Sequence, residues 1–343
     1  MLKILRGAVD SLFEPCCPSR AVVCCFAIFF IPTVSFAEDA LQESLQVKEE
    51  ETQLAKWFAK RELVESPFEY ALSVGYRKDN FDWSVANSSV NIASELIWKD
   101  TVIEQLRAAA RLNLGYDWFI RGNYATGMVV SGTNRDSDYA GNNRTQEYSR
   151  SDNKTGGAVR EISIGLGNRL RVFDQADGLG LYLSPLAGFS IHQQALTMYD
   201  GRQSVPFDSV LSGLNNSYEA QWKGAWVGMD ALFKIGRNIL LNTSVEYHRT
   251  DYYAKANWNL RNDLAHPVSF EHVADGRGIL LSSGISYRLT RNLLLNAMFE
   301  HQRWRTDKGY DTTFFSYGTT SHYTLNSVRL NSRSISLGAV YQF

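Results

Sequence analysis

Cysteine is missing from nearly the whole chain. All four, Cys16, Cys17, Cys24 and Cys25, fall within the first 25 residues. Downstream there is no thiol for a disulfide framework, a thiolate metal site or a cysteine nucleophile. After residue 37 the sequence also lacks any apolar run long enough to cross a membrane as a helix. An excess of charge of one sign is absent too: 35 Lys and Arg oppose 36 Asp and Glu, for a net charge of −1. That balance argues against a nucleic-acid partner, whose protein should be basic. The six histidines show no H-x-x-x-H or other recognised metal-ligand spacing. No metal and no cofactor is therefore expected.

The N-terminus has the form of a secretory signal. Lys3, Arg6 and Arg20 precede an uncharged, almost wholly apolar stretch from Ala21 to Ala37, which ends Ser35-Phe36-Ala37 with small residues at −3 and −1. Cleavage after Ala37 is expected. The alternative is a membrane anchor, but about seventeen residues is at the short limit for a span, and Pro32 interrupts them. Glu38 follows, where a lipoprotein would need cysteine. The long n-region leaves a start downstream of Met1 open. Residues 38–66 are Glu- and Gln-rich, with Leu45, Leu54, Trp57, Phe58 and Leu63 at helical rather than strand spacing. They are expected to form a short solvated helix or an unstructured arm in the periplasm. A plug or partner-binding segment is the sharper alternative. Residues 67–343 form the third region.

The C-terminus alternates with period two. Ile335, Leu337, Ala339, Tyr341 and Phe343 fall on one face, and Ser334, Ser336, Gly338, Val340 and Gln342 on the other. Such a strand, apolar on one side and polar on the other, suits a wall between lipid and lumen. Its aromatic end resembles the terminal signal by which outer-membrane barrels are recognised for insertion. Ten alternating segments run from Phe68 onward: 68–83, 92–113, 118–132, 158–173, 178–197, 217–234, 238–255, 276–289, 292–306 and 328–343. An even number suits a closed antiparallel barrel, and closure is required because every backbone group in lipid needs a partner. The fold class is thus all-β, a ten-stranded antiparallel transmembrane barrel. Arg237-Asn238 and Thr290-Arg291-Asn292 read as tight periplasmic turns, and 133–157, 198–216, 256–275 and 307–327 as long polar extracellular loops. Around the first turn, Ile239, Leu241, Thr243, Val245 and Tyr247 should face lipid, and Leu240, Asn242, Ser244, Glu246 and His248 the lumen. Asp230, Glu246, Arg288 and Glu300 should point inward, as a packed ion-pair network rather than an ion pathway.

The segment 68–343 resembles the omptins, ten-stranded outer-membrane barrels that cleave peptides at an extracellular site. The likeness rests on Phe81-Asp82-Trp83-Ser84 with Ser94-Glu95-Leu96-Ile97-Trp98-Lys99 as the first hairpin, and on Gly188 after Leu186-Ala187. It rests also on Tyr218-x-x-x-Trp222-Lys223-Gly224-x-Trp226-Val227-Gly228 and on the end Ala339-x-Tyr341-Gln342-Phe343. The omptin-like group named Protochlamydia outer membrane proteins is the other resemblance. Omptins carry an Asp-x-Asp pair after strand 3, followed by a Ser-Arg-rich segment. Asp136-Ser137-Asp138 and Ser149-Arg150-Ser151-Asp152 stand there. Carboxylates at i and i+2 on an extended strand project to the same side. They can share a proton and hold a water, as paired acids do. Asp136 and Asp138 are the candidate catalytic residues.

The resemblance also places an Asp-x-His dyad at the top of strand 7, with the imidazole as general base. Asn257-Trp258-Asn259 falls at that place, and no Asp-x-His occurs between 238 and 275. Half of the site is missing. The omptin lipid A motif, Tyr-x-Glu-x-Arg on strand 5, is replaced by Phe189, Ile191 and Gln193, so a lipopolysaccharide requirement is not carried over. The leading expectation is a non-proteolytic surface or envelope barrel of the Gram-negative outer membrane. An endopeptidase with a rearranged site, using His248, His266 or His272, is the alternative, and a small porin-like channel is the second. Expected partners are outer-membrane lipid, with lipopolysaccharide a candidate, and the barrel-insertion machinery acting through the strand ending in Phe343.

Overall fold

A computed structural model describes residues 66–176 and 178–343. The expected signal segment 1–37 and all but the last residue of the expected extension 38–66 lie outside the described residues. Twelve strands follow in order: β1 Phe68–Ala86, β2 Ser94–Gly115, β3 Trp118–Gly141, β4 Thr145–Asn168, β5 Leu170–Asp174, β6 Gly180–Val205, β7 Ser209–Ile235, β8 Ile239–Asn257, β9 Phe270–Arg288, β10 Leu293–Thr306, β11 Gly309–Phe314 and β12 Thr320–Gln342. Ten pair in the order β1-β2-β3-β4-β6-β7-β8-β9-β10-β12, and the β1–β12 pairing closes the ring. That closing ladder is antiparallel and includes Glu69↔Gln342, Val74↔Leu337 and Trp83↔Val328. Short β5 hangs on β6, and short β11 bridges β9 and β12. These two strands are the departure from the ten read in the sequence.

Alternation decides which side chain meets lipid. Outward positions expose Leu72, Leu106, Ile164, Val227, Ile279 and Leu295. A continuous apolar belt of this kind requires an apolar surrounding. On β8 it runs from Ile239 to Tyr247, the face read from the sequence. At about 3.3 Å per residue and a tilt near 40°, that is roughly 20 Å of height, close to the ~25 Å apolar band of outer-membrane barrels. The belt lies toward the end that carries Phe68 and Phe343, here the terminal end. The turns at Gly236–Asn238 and 289–292 are on that end as well. Gly236 has φ +63° there, a conformation glycine adopts without a Cβ clash.

The other, distal end differs from the sequence reading. The stretch 133–157 is strand for most of its length: β3 and β4 continue past the belt, with Asn134↔Asn153, Asp136↔Ser151 and Asp138↔Ser149 paired. Likewise β6 and β7 run on until only residues 206–208 separate them. Beyond lipid neither face of a strand must be apolar. The alternation signal vanishes while the backbone ladder persists. Of the four segments read as long loops, 258–269 comes nearest to one, and 307–327 contains β11 and the start of β12.

Candidate functional site

Inside the ring, charge and aromaticity are separated by height. Toward the terminal end, carboxylates meet guanidinium groups across the lumen. Arg121 on β3 reaches Asp230 on β7 at 2.8 Å and also pairs with Glu246 on β8. Arg107 on β2 reaches Glu300 on β10 at 2.7 Å. Arg77 on β1 joins Asp79 at 2.7 Å and Glu161 on β4 at 2.5 Å. Arg288 Nη1 donates to Gln342 Oε1 at 3.0 Å. Of the four inward charges read from the sequence, Asp230, Glu246 and Glu300 are in such ion pairs, whereas Arg288 bonds a neutral amide. These three carboxylates border a cavity of about 360 Å³.

Above it lies an aromatic layer. Phe81, Trp83, Trp98, Tyr218, Trp222, Tyr252 and Trp304 are each 3% exposed or less. Trp222 meets Tyr252 at 4.5 Å and Trp304 at 5.6 Å between ring centroids. Trp304 lies flat on Gly278, where any Cβ would collide with the ring. The layer separates the lower cavity from a second one of about 440 Å³ at the distal end, and the two share no lining residue.

This distal bowl contains Asp136 and Asp138. β3 holds them opposite Leu96 and Ser94 on β2 and opposite Ser151 and Ser149 on β4. Trp258 Nε1 donates to Asp136 Oδ2 at 3.3 Å. Asp138 accepts from Ser94 and Ser149. Arg261 lines the bowl and acts on both acids, but its guanidinium is bonded to Asp263 at 2.7 Å. Burial, and then the Asp138 carboxylate beside it, pushes Asp136 up to about 7. Burial raises Asp138 as well. Asp136 therefore keeps its proton up to near neutral pH.

A third carboxylate, Asp311 on β11, lies on the wall of the same bowl. It stands 2.9 Å from His272 Nε2, while His272 Nδ1 is 2.8 Å from the Tyr218 hydroxyl. Tyr218 and Tyr252 hydroxyls lie 2.7 Å apart. Burial pushes both phenols well above their usual range, so both stay protonated. One proton order satisfies the chain: Tyr252 donates to Tyr218, Tyr218 to Nδ1, and Nε2–H to Asp311. His272 is fully buried. The rings of Trp83 and Phe270 cover it at 4.9 and 5.2 Å.

Thus the two acids read from the sequence are brought together at one site. Where the resemblance called for a carboxylate and an imidazole, an indole stands and bonds Asp136. His248 is buried in the lumen against Ser190 and Glu246, each at 3.0 Å. Exposed His266 bonds Asn257 Oδ1 at 2.6 Å. Among the described residues no histidine hydrogen-bonds Asp136 or Asp138, and no three His, Cys, Asp or Glu are arranged to hold a metal ion. Arg261 and Asp311 were not found by sequence reasoning, and His272 was named there as one of three candidate histidines without its partner. Their partners come from β3, β7 and β9, and no local spacing marks them.

The sequence pattern of the Protochlamydia outer membrane protein family matches residues 71–343. The chain belongs to that family. Comparison of its sequence with curated proteins finds no match. Among solved structures, the fold is similar to that of the outer membrane protease OmpT from Escherichia coli. The TM-score is 0.66 at 13% identity, with 82% of this chain and 99% of OmpT covered. At that identity the likeness shows the fold alone, an omptin-like outer-membrane barrel. The translocator domain of the autotransporter NalP from Neisseria meningitidis also matches, at TM-score 0.32 and 11% identity, covering 88% of this chain and 98% of that one. So does OprG from Pseudomonas aeruginosa, at TM-score 0.31 and 9% identity, covering 81% and 97%. Neither carries an argument beyond resemblance. The family and the OmpT-like fold place this protein in an outer membrane.

Proposed function

We propose that this member of the Protochlamydia outer membrane protein family is a sealed, non-proteolytic surface barrel that binds a ligand in its distal bowl. The observation that carries the reading is the indole of Trp258 on Asp136, at the place of the missing base. Loss of a general base costs about 10²–10⁴-fold in rate, and among the described residues no histidine bonds the acid pair. The aromatic layer under the bowl supports a sealed lumen over a channel. In this reading the bowl faces the cell exterior, and β12 with Phe343 serves the insertion machinery. The test is a mixed peptide library incubated with purified, refolded protein. Intact peptides are expected. Cleavage that disappears in a D136A/D138A variant would overturn the proposal.

A second reading has its own support. Asp311 shares the bowl with Asp136 and Asp138 and already holds His272. An endopeptidase with a rearranged site would use that pair, once Trp83 and Phe270 moved aside. Cleavage by the wild type that is lost in H272A would establish it.

A further inference from the structure

The outer wall carries charge that the bowl does not use. Along β8 the outward face runs Leu241, Val245, Tyr247 and then Arg249. Along β9, counted from the terminal end, it runs Ile285, Leu281, Ile279 and then Arg277. On β10 the belt ends beyond Phe299 with Arg303 and Arg305, and on β12 beyond Ile335 with Arg333 and Arg329. Four of these arginines stand directly opposite one another on neighbouring strands. Arg249 pairs in register with Arg277, Arg277 with Arg305, and Arg305 with Arg329.

Like charges directly opposite on a sheet repel one another. A row of four needs counter-charge. Arg329 has Asp82 at 2.8 Å, and Arg277 has Asp307 at 3.3 Å. Arg249 and Arg305 have no ion pair or hydrogen bond among the described residues. Asp251 and Asp275 also face outward, but one step further from the belt, on its watery side. Toward the belt the row meets apolar side chains, Asn331 and further cations, but no carboxylate on these four strands. Elsewhere on the wall outward cations stand singly: Arg160 on β4 faces Thr126, and Lys223 on β7 faces Asp251.

Height and chemistry together identify the counter-charge. The row begins where the apolar belt stops, which is the depth of lipid head groups. Guanidinium forks take phosphate oxygens two at a time, and basic side chains at a membrane surface attract anionic lipid. We propose that Arg249, Arg277, Arg305 and Arg329 form a docking row for the phosphate groups of anionic lipids in the leaflet at the distal end. The row rests on the membrane-spanning fold and is independent of what the bowl does.

The test uses full-length protein in phosphatidylcholine bilayers doped with spin-labelled phosphatidic acid or spin-labelled phosphatidylcholine. Wild type should retain the phosphatidic acid probe several-fold more than the phosphatidylcholine probe, and less so as salt rises. The variant R249Q/R277Q/R305Q/R329Q should lose that preference, and R160Q/K223Q, on other strands, should keep it. If the fourfold variant fails to insert, R249Q and R305Q singly should each lower the preference. No preference in wild type, or an equal one in the row variants, overturns the proposal. So does displacement of the probe by inorganic phosphate beyond that by chloride at equal ionic strength, which would mark a site for free anion.

Discussion

The lower lumen and the distal bowl are built from the same residue types and settle their charge in opposite ways. Below the aromatic layer, Asp79, Glu161, Asp230, Glu246 and Glu300 each touch an arginine on their own or a facing strand. Above it, Asp136 and Asp138 receive an indole N–H and two serine hydroxyls, and the nearest guanidinium is bonded to Asp263. Neutralised acids hold a wall together. Acids left with neutral donors stay available to something that enters the bowl. The contrast separates the part of the barrel that makes it rigid from the part that meets a ligand.

Breaking the lower network should cost most. Arg77→Ala leaves Glu161 and Asp79 buried without their cation, and removing one partner of a buried pair costs about 3–5 kcal/mol. Urea unfolding in lipid vesicles would show it. Next comes the seal between the two regions: Trp222→Ala empties a fully buried indole site, and about 3–4 kcal/mol of stability should go with it. The same unfolding assay applies.

The bowl should respond to pH rather than to deletion. Asp136 titrates at about 7 in the folded barrel against 3.8 in its ordinary state. Between those values the folded state binds more protons, so this group's contribution falls as pH rises from about 4 to about 7. Asp136→Asn should match wild type below that window and be the more stable protein above it, at pH 8. A variant that is equal or weaker at pH 8 would place the acid among the neutralised ones. The smallest effect is expected at the distal rim: Lys154 and Asp200 pair while 65% and 62% exposed. Exposed pairs contribute little, and Lys154→Ala should leave the unfolding midpoint unchanged.

The same division governs what could be read from the sequence. Within the belt, Ile239 to Tyr247 and Leu293 to Phe299 alternate because lipid and lumen impose opposite demands, and those strands were legible. Past the belt, residues 133–157 alternate no longer, so a continuous β-hairpin looked like a loop. Asp136 and Asp138 were legible because i and i+2 on a strand share a face. The contacts of Trp258 with Asp136, and of His272 with Tyr218 and Asp311, arise only when the ring closes. They join residues 122, 54 and 39 positions apart, beyond any local pattern. The arginine row needs strand register as well: each arginine alone reads as an ordinary surface charge.

What is proposed for the distal end depends on two carboxyls that keep a proton without a base or a free cation beside them. Infrared difference spectra of the refolded barrel, taken across pH in wild type and Asp136→Asn, observe that proton directly. The expected result is a protonated carboxyl stretch that disappears near pH 7 in wild type and is missing in the variant. If no such band persists above the ordinary carboxylate range, the acids are neutralised like those of the lumen, and the contrast between the two regions is wrong.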